Sequence, residues 1–191
     1  MLTELQPYAA GPEELALLAA HLRLPTGFED DPAAGAALAS AFDAARIMVE
    51  RATGRALRLR AFRCAAPDWE TVSAPPIGPL RSLNAVSVED ADGLARALAT
   101  EDFRLDPLAD PPRVSARAGV APPAPPTGGR VVIEVEAGYG PKFEDAPADL
   151  RAATLAIAAA CHERWSVDGT GATVAEPLAE ALLAPYRRVS L

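Results

Sequence analysis

The chain has 191 residues, half of them apolar, which suits one domain or one domain with an insertion. Much of the apolar content is alanine and only 5% is aromatic, so the core is expected to consist of small side chains. A net charge of −8 argues against a nucleic-acid-binding face, which needs clustered Lys and Arg, and no apolar run reaches membrane-spanning length. The N-terminus shows no basic-then-apolar signal pattern. Cys64 and Cys161 are far apart and lack a partner motif, as expected in a reducing cytoplasm.

Met1 to Gly11, with Leu2, Leu5 and Tyr8, reads as an arm or a strand. Pro12 to Leu22 reads as a short helix: Pro12 opens it, Glu13 and Glu14 fill the first turn, and Leu15, Leu18, Ala19 and Leu22 share a face. Pro25 and Gly27 end it. Phe28 to Pro32 opens a second helix with Asp31 as N-cap and Pro32 in the first turn. It runs to about Thr53, where Gly54 is a natural stop. Its stripe is Leu38, Phe42, Ala45, Val49 and Ala52, with Met48 beside it. Asp43, Arg46 and Glu50 are assigned to the opposite face.

The middle of the chain changes character. Ala56 to Phe62 alternates Leu57, Leu59 and Ala61 with Arg58 and Arg60, as a strand does. Trp69 to Val72 and Leu83 to Val88 are further strand candidates, separated by Pro75, Pro76 and Pro79. Ala91-Asp-Gly93 is a turn signal. Phe103 to Leu105 and Arg113 to Ala116 read as two more short strands. Seven prolines between Asp106 and Gly129 make that stretch a tethered hairpin or an irregular loop.

The organising stretch is Arg130 to Trp165. Val131, Ile133 and Val135 alternate with Val132, Glu134 and Glu136, the period of a half-buried strand. Gly138 to Pro141 stops it. A helix follows from Pro147, with Asp145 and Asp149 near its positive end. Leu150, Ala153, Thr154, Ile157, Cys161 and Trp165 recur as a buried stripe among alanines, which allow neighbouring helices close approach. Ser166 to Glu176 reads as a flexible linker. Pro177 to Leu183 reads as a short helix stopped by Pro185, leaving a C-terminal arm, Pro185 to Leu191.

No catalytic set assembles. His21 and His162 have no ligand-type partner at helical spacing. Cys161 falls on an apolar stripe and reads as a small hydrophobe. Cys64 has Arg63 beside it, but one basic neighbour is weak evidence for a lowered thiol pKa. Gly138-Tyr-Gly140 and Gly169-Thr-Gly171 lack the Lys-Ser/Thr of a phosphate loop. Glu29-Asp-Asp31 is accounted for by capping, and Arg58, Arg60 and Arg63 by a solvated strand face. The sequence therefore assigns no catalytic, cofactor or metal residues.

Six features, in this order, resemble the head–tail connector (adaptor) proteins of long-tailed bacteriophages and of gene transfer agents. They are Leu22-Arg-Leu-Pro25 leading into Asp30-Asp31, and the helix end Val49-Glu-Arg-Ala-Thr-Gly-Arg55. Next come Pro79-Leu-Arg-Ser-Leu83 with Val86-Ser-Val88 and Asp90-Ala-Asp-Gly93, then Val131 to Gly140. The last two are Pro147-Ala-Asp-Leu150 with Cys161-His-Glu-Arg164, and the close Leu183-Ala-Pro-Tyr-Arg-Arg188. The usual aromatic before the Glu-Arg pair is here His162.

The resemblance implies an α+β, mainly α fold: a small helical bundle core (12–54 and 147–184), an inserted short-stranded β region (57–140) and the C-terminal arm (185–191). It implies a dodecameric ring at the neck of the particle, assembled in the bacterial cytoplasm. That ring would dock on the portal, meet the stopper or tail-terminator protein, and pass DNA only in transit, with no membrane and no cofactor. Tyr186, Arg187, Arg188, Val189 and Leu191 are the expected portal-binding residues, since aromatics and arginines often dominate interfaces. The alternative is a small cytoplasmic enzyme or ligand-binding domain with its site in the β-rich region.

Overall fold

Asp31 starts the longest helix. In the computed structural model, which describes residues 1–25, 27, 31–106, 109, 111–166 and 175–187, its carboxylate accepts the Ala33 N–H at 3.0 Å. Pro32 occupies the first turn, and Gly54 ends the helix in the left-handed region at φ 63°. The helices are α1 (Pro12–His21), α2 (Pro32–Thr53), α3 (Trp69–Val72), α4 (Ala148–Ser166) and α5 (Ala175–Leu183). The strands are β1 (Leu2–Glu4), β2 (Arg60–Ala66), β3 (Leu80–Glu89), β4 (Ala95–Leu98), β5 (Phe103–Asp106), β6 (Arg113–Ala116) and β7 (Arg130–Ala137).

The chain divides into two units. One is Met1–Pro7 with Arg58–Pro141; the other is Tyr8–Leu57 with the described residues of Lys142–Leu191. The first unit holds a five-stranded antiparallel sheet in the order β1-β2-β7-β3-β4, and a β5–β6 hairpin. β7 sits in the middle, its Ile133 opposite both Cys64 and Val86. Val131, Ile133 and Val135 are fully buried while Glu134 and Glu136 are half-exposed, as the period-two pattern requires. Past the strand, Gly138 has φ 136°, and a Cβ there would lie 2.3 Å from the Arg58 carbonyl oxygen, so only glycine fits.

The second unit packs α1, α2, α4 and α5 on one another. Leu18, Leu38, Phe42, Val49 and Leu150 are fully or almost fully buried there, with Ala41, Ala45, Ala153 and Ala158 between them. Phe42 meets Phe143 edge-on at 5.2 Å. The small-residue core expected from composition is present, with one aromatic pair at its centre.

Several elements differ from the sequence reading. The fold is α+β, but strands build a sheet with its own buried core, a more even balance than the mainly helical expectation. Trp69–Val72 is a helical turn, not a strand, because Asp68 caps it by accepting the Thr71 N–H at 2.7 Å. The strand expected at Ala56–Phe62 begins at Arg60, and its phase is reversed: Arg60, Phe62 and Cys64 are buried while Ala61 and Arg63 are half-exposed. Leu57 is fully buried in the helical unit instead. β4 had no strand signal at all, and its exposed Ala-Arg-Ala-Leu sequence explains why.

On α2, Ala52 is exposed and Thr53 is buried, its hydroxyl donating to the Val49 carbonyl at 2.8 Å. On α4 the buried positions are Leu150, Ala153, Thr154 and Ala158; Ile157 and Cys161 are only half-buried. The seam therefore runs through Leu150, Ala153, Thr154 and Ala158 rather than through Ile157. Trp165 lies in α4, its side chain outside the described set. The expected linker is shorter than Ser166–Glu176: Ser166 belongs to α4, and Ala175 and Glu176 to α5. Residues 167–174 lie outside the described residues, as do Phe28, Glu29 and Asp30 of the stretch expected to open α2.

Candidate interaction site

The residues singled out for partner binding follow α5. Its end passes into a 3-10 turn, Ala184–Tyr186, so Pro185 tightens the chain rather than ending helical structure outright. Tyr186 is half-buried, and its hydroxyl donates to Asp149 Oδ1 at 3.0 Å. Asp149 lies in the first turn of α4, where a carboxylate is favoured by the helix dipole, and also accepts the Leu150 N–H at 2.9 Å. The segment is therefore tied to the helical unit through Tyr186. Arg187 is exposed and reaches Glu180 of α5 at 3.4 Å, a weak surface pair. Arg188, Val189 and Leu191, the rest of the expected set, lie outside the described residues.

The arginines of the β region are not a solvated row. Arg60 is buried, pairs with Glu4, and stacks its guanidinium over Phe62 at 4.7 Å. Arg63 pairs with Glu89, whose other oxygen takes Arg130 at 2.6 Å. Arg58 donates to the Pro141 carbonyl at 2.9 Å. Arg46 and Glu50, expected on the exposed face of α2, are buried and paired at 2.8 Å. Glu50 also accepts the Leu57 N–H at 2.9 Å, which fixes the chain leaving α2. Arg46 lies 4.5 Å from the Tyr8 ring, and Tyr8 donates to Glu14 at 3.2 Å. This Tyr8–Glu14 and Arg46–Glu50 cluster was missed because helical spacing alone put Arg46 and Glu50 in water. The available signal was their i,i+4 spacing with opposite charge.

The remaining candidates are accounted for locally. His21 is exposed, and His162 and Cys161 are half-buried along α4. Cys64 is buried in β2, and burial pushes its thiol up from 9.0 to about 11. Its neighbour Arg63 is engaged with Glu89, and burial sets the direction of the shift. Among the described residues no group of three His, Cys, Asp or Glu is placed to hold a metal ion. Gly169 and Gly171 lie outside the described residues.

No family model matches the chain, and no curated protein matches it. Solved structures do. The chain is 35% identical to a chain of the virion of a native gene transfer agent particle, with TM-score 0.79 over 100% of this chain and 97% of that one. It is 34% identical, with TM-score 0.80 and the same coverage, to a chain of the neck of an empty gene transfer agent particle computed with C6 symmetry. A chain from the neck of a native particle computed with C12 symmetry matches at 31% identity and TM-score 0.75, again over 100% and 97%. With identity above 30% over the whole chain, the chain belongs to the structural proteins of the gene transfer agent neck.

Proposed function

We propose that the chain is a structural, non-enzymatic head–tail adaptor. It assembles as a dodecameric ring at the neck of a gene transfer agent or related long-tailed phage particle. The ring docks on the portal, extends the DNA channel, and offers its other side to the stopper or tail-terminator protein. DNA meets it only in transit. The observation that carries this reading is end-to-end similarity to neck chains of particles computed with C12 and C6 symmetry. The adaptor role itself comes from the resemblance read in the sequence. In this reading the β-rich unit is an insertion that touches neighbouring subunits, and assembly takes place in the bacterial cytoplasm.

The portal contact is assigned to the C-terminal segment, with Tyr186, Arg187, Arg188, Val189 and Leu191 as the gripping residues. Tyr186 anchors that segment on α4, which gives the residues beyond it a fixed point of departure. A chain truncated after Ala184 keeps its fold, since the core of the helical unit lies in α1, α2 and α4. The same chain fails to retain portal protein in a pull-down. Undiminished retention would move the portal contact elsewhere, to the N-terminal arm first.

A further inference from the structure

The sheet ends in two unlike open edges, β1 and β4. The Asp90 N–H donates to the Leu94 carbonyl at 3.1 Å, which makes Val88 and Arg96 a mutually bonded pair one step further along. Ala95 and Ala97 therefore turn their N–H and C=O groups outward. At the opposite edge, the Ala65 N–H donates to Met1 and the Leu5 N–H to Ala61, both at 2.9 Å. By the same alternation Leu2 turns its N–H and C=O outward. Among the described residues no hydrogen bond reaches these outward groups.

β4 is a short edge strand whose one charge is Arg96. It has no proline, lysine or bulge, and Ala95, Arg96 and Ala97 are all exposed. Exposed apolar side chains flank both edges: Leu94 at 75% beside β4, and Met1 at 88% and Leu5 at 43% around β1. Such edges pair with another strand.

We infer that β4 of one copy pairs with β1 of the next, so that the sheets of neighbouring copies run into one another. Two observations choose a second copy as the occupant. The two edges differ, so their pairing is head-to-tail, the kind of contact that closes into a ring. All neighbours in the sheet are antiparallel, so β1 and β4 run in the same direction. A copy generated by a small rotation then brings β1 alongside β4 in parallel. In a parallel ladder the Leu2 N–H reaches the Ala95 carbonyl, and the Ala97 N–H reaches the Leu2 carbonyl. Leu2 then lies opposite Arg96. The inference rests on the ring reading above and adds which strands join.

The test uses the full chain in particles made by the producing cell. A variant carrying Leu2→Cys and Arg96→Cys, with Cys161→Ser and with Cys64→Ala because Cys64 lies opposite Leu2 in the same sheet, is oxidised and run on a non-reducing gel. The expected result is a ladder of covalent multimers of this chain, with neither single cysteine giving more than dimers. Ala97→Pro, which removes the donor at the edge, is expected to lose neck assembly while the purified chain keeps its circular dichroism spectrum. Normal necks from Ala97→Pro, together with monomer only from the double cysteine variant, would overturn the edge pairing and leave the ring reading intact. Cross-linking to a chain of different mass would overturn the choice of a second copy. Particles whose necks lack the wild-type chain would overturn the ring reading itself.

Discussion

Removing one hydroxyl tests how firmly the C-terminal segment is held. Tyr186→Phe keeps the half-buried ring and deletes the donor to Asp149. A hydrogen bond to a charged acceptor contributes about 1.5–3 kcal/mol when buried, and partial exposure brings this one to about 1 kcal/mol. For a chain of this length that loss lowers the melting temperature by about 2–4 °C. The assay is a urea or thermal titration of the full chain, with Asp149→Ala and the double variant completing a cycle. If the bond acts as argued, the cycle shows a coupling energy of about 1 kcal/mol. Phe keeps the aromatic surface, so portal retention survives in Tyr186→Phe and falls in Tyr186→Ala. Strictly additive single-variant effects would refute the anchoring role. Equal portal retention by Phe and Ala would refute the aromatic contact.

Two further outcomes follow from burial. Ala158→Asp places a carboxylate at a fully buried position of α4 and costs several kcal/mol, whereas Ile157→Asp, at a half-buried one, costs about 1 kcal/mol. Equal melting of the two variants would mean the seam is not where the structure has it. The Cys64 thiol, at about 11 in the folded chain against 9.0 ordinarily, stays unmodified by a thiolate-selective alkylating agent at pH 8. Its folded value is raised, so its contribution to stability is complete below pH 9 and is lost as pH rises towards 11. A Cys64→Ala chain, which lacks the thiol, loses less stability over the same window, as read by urea midpoints.

Periodicity and caps made much of the fold legible. Asp31, Pro32 and Gly54 bound α2 because each acts on the backbone beside it, and β7 announced itself through Val131, Ile133 and Val135. What failed was whatever depends on a second element. Arg46 and Glu50 looked solvated until Tyr8, Glu14 and the Leu57 amide surrounded them. Arg60 looked solvated until Glu4 of β1 came alongside. Ile157 looked central because a helical stripe was ranked by hydrophobicity, whereas the neighbouring helices bury Leu150, Ala153, Thr154 and Ala158. The proposed portal contact was legible only as the composition of residues 185–191. The Tyr186–Asp149 bond spans residues 37 apart, and no local rule anticipates it.

The fate of the arginines bears on the proposed DNA path. Pairing Arg46 with Glu50 and Arg60 with Glu4 leaves the net charge of −8 unchanged, but it withdraws cations that would otherwise hold phosphate. Glu89 likewise holds Arg63 and Arg130, whose side chains are 35% and 51% exposed. These four engaged arginines, on a chain of net negative charge, suit the proposed channel through which DNA slides. The wild-type chain is therefore expected to show no retention of duplex DNA at about 100 mM salt. Glu89→Gln releases two partly exposed guanidiniums on one face and is expected to introduce weak binding. Its log affinity should fall against log salt with a slope of about −1 to −2, one unit per phosphate engaged. Gel-shift titrations at two salt concentrations read both quantities. Equal DNA binding by the wild-type and Glu89→Gln chains would sink the account, because Glu89 would then not be what withdraws Arg63 and Arg130 from phosphate.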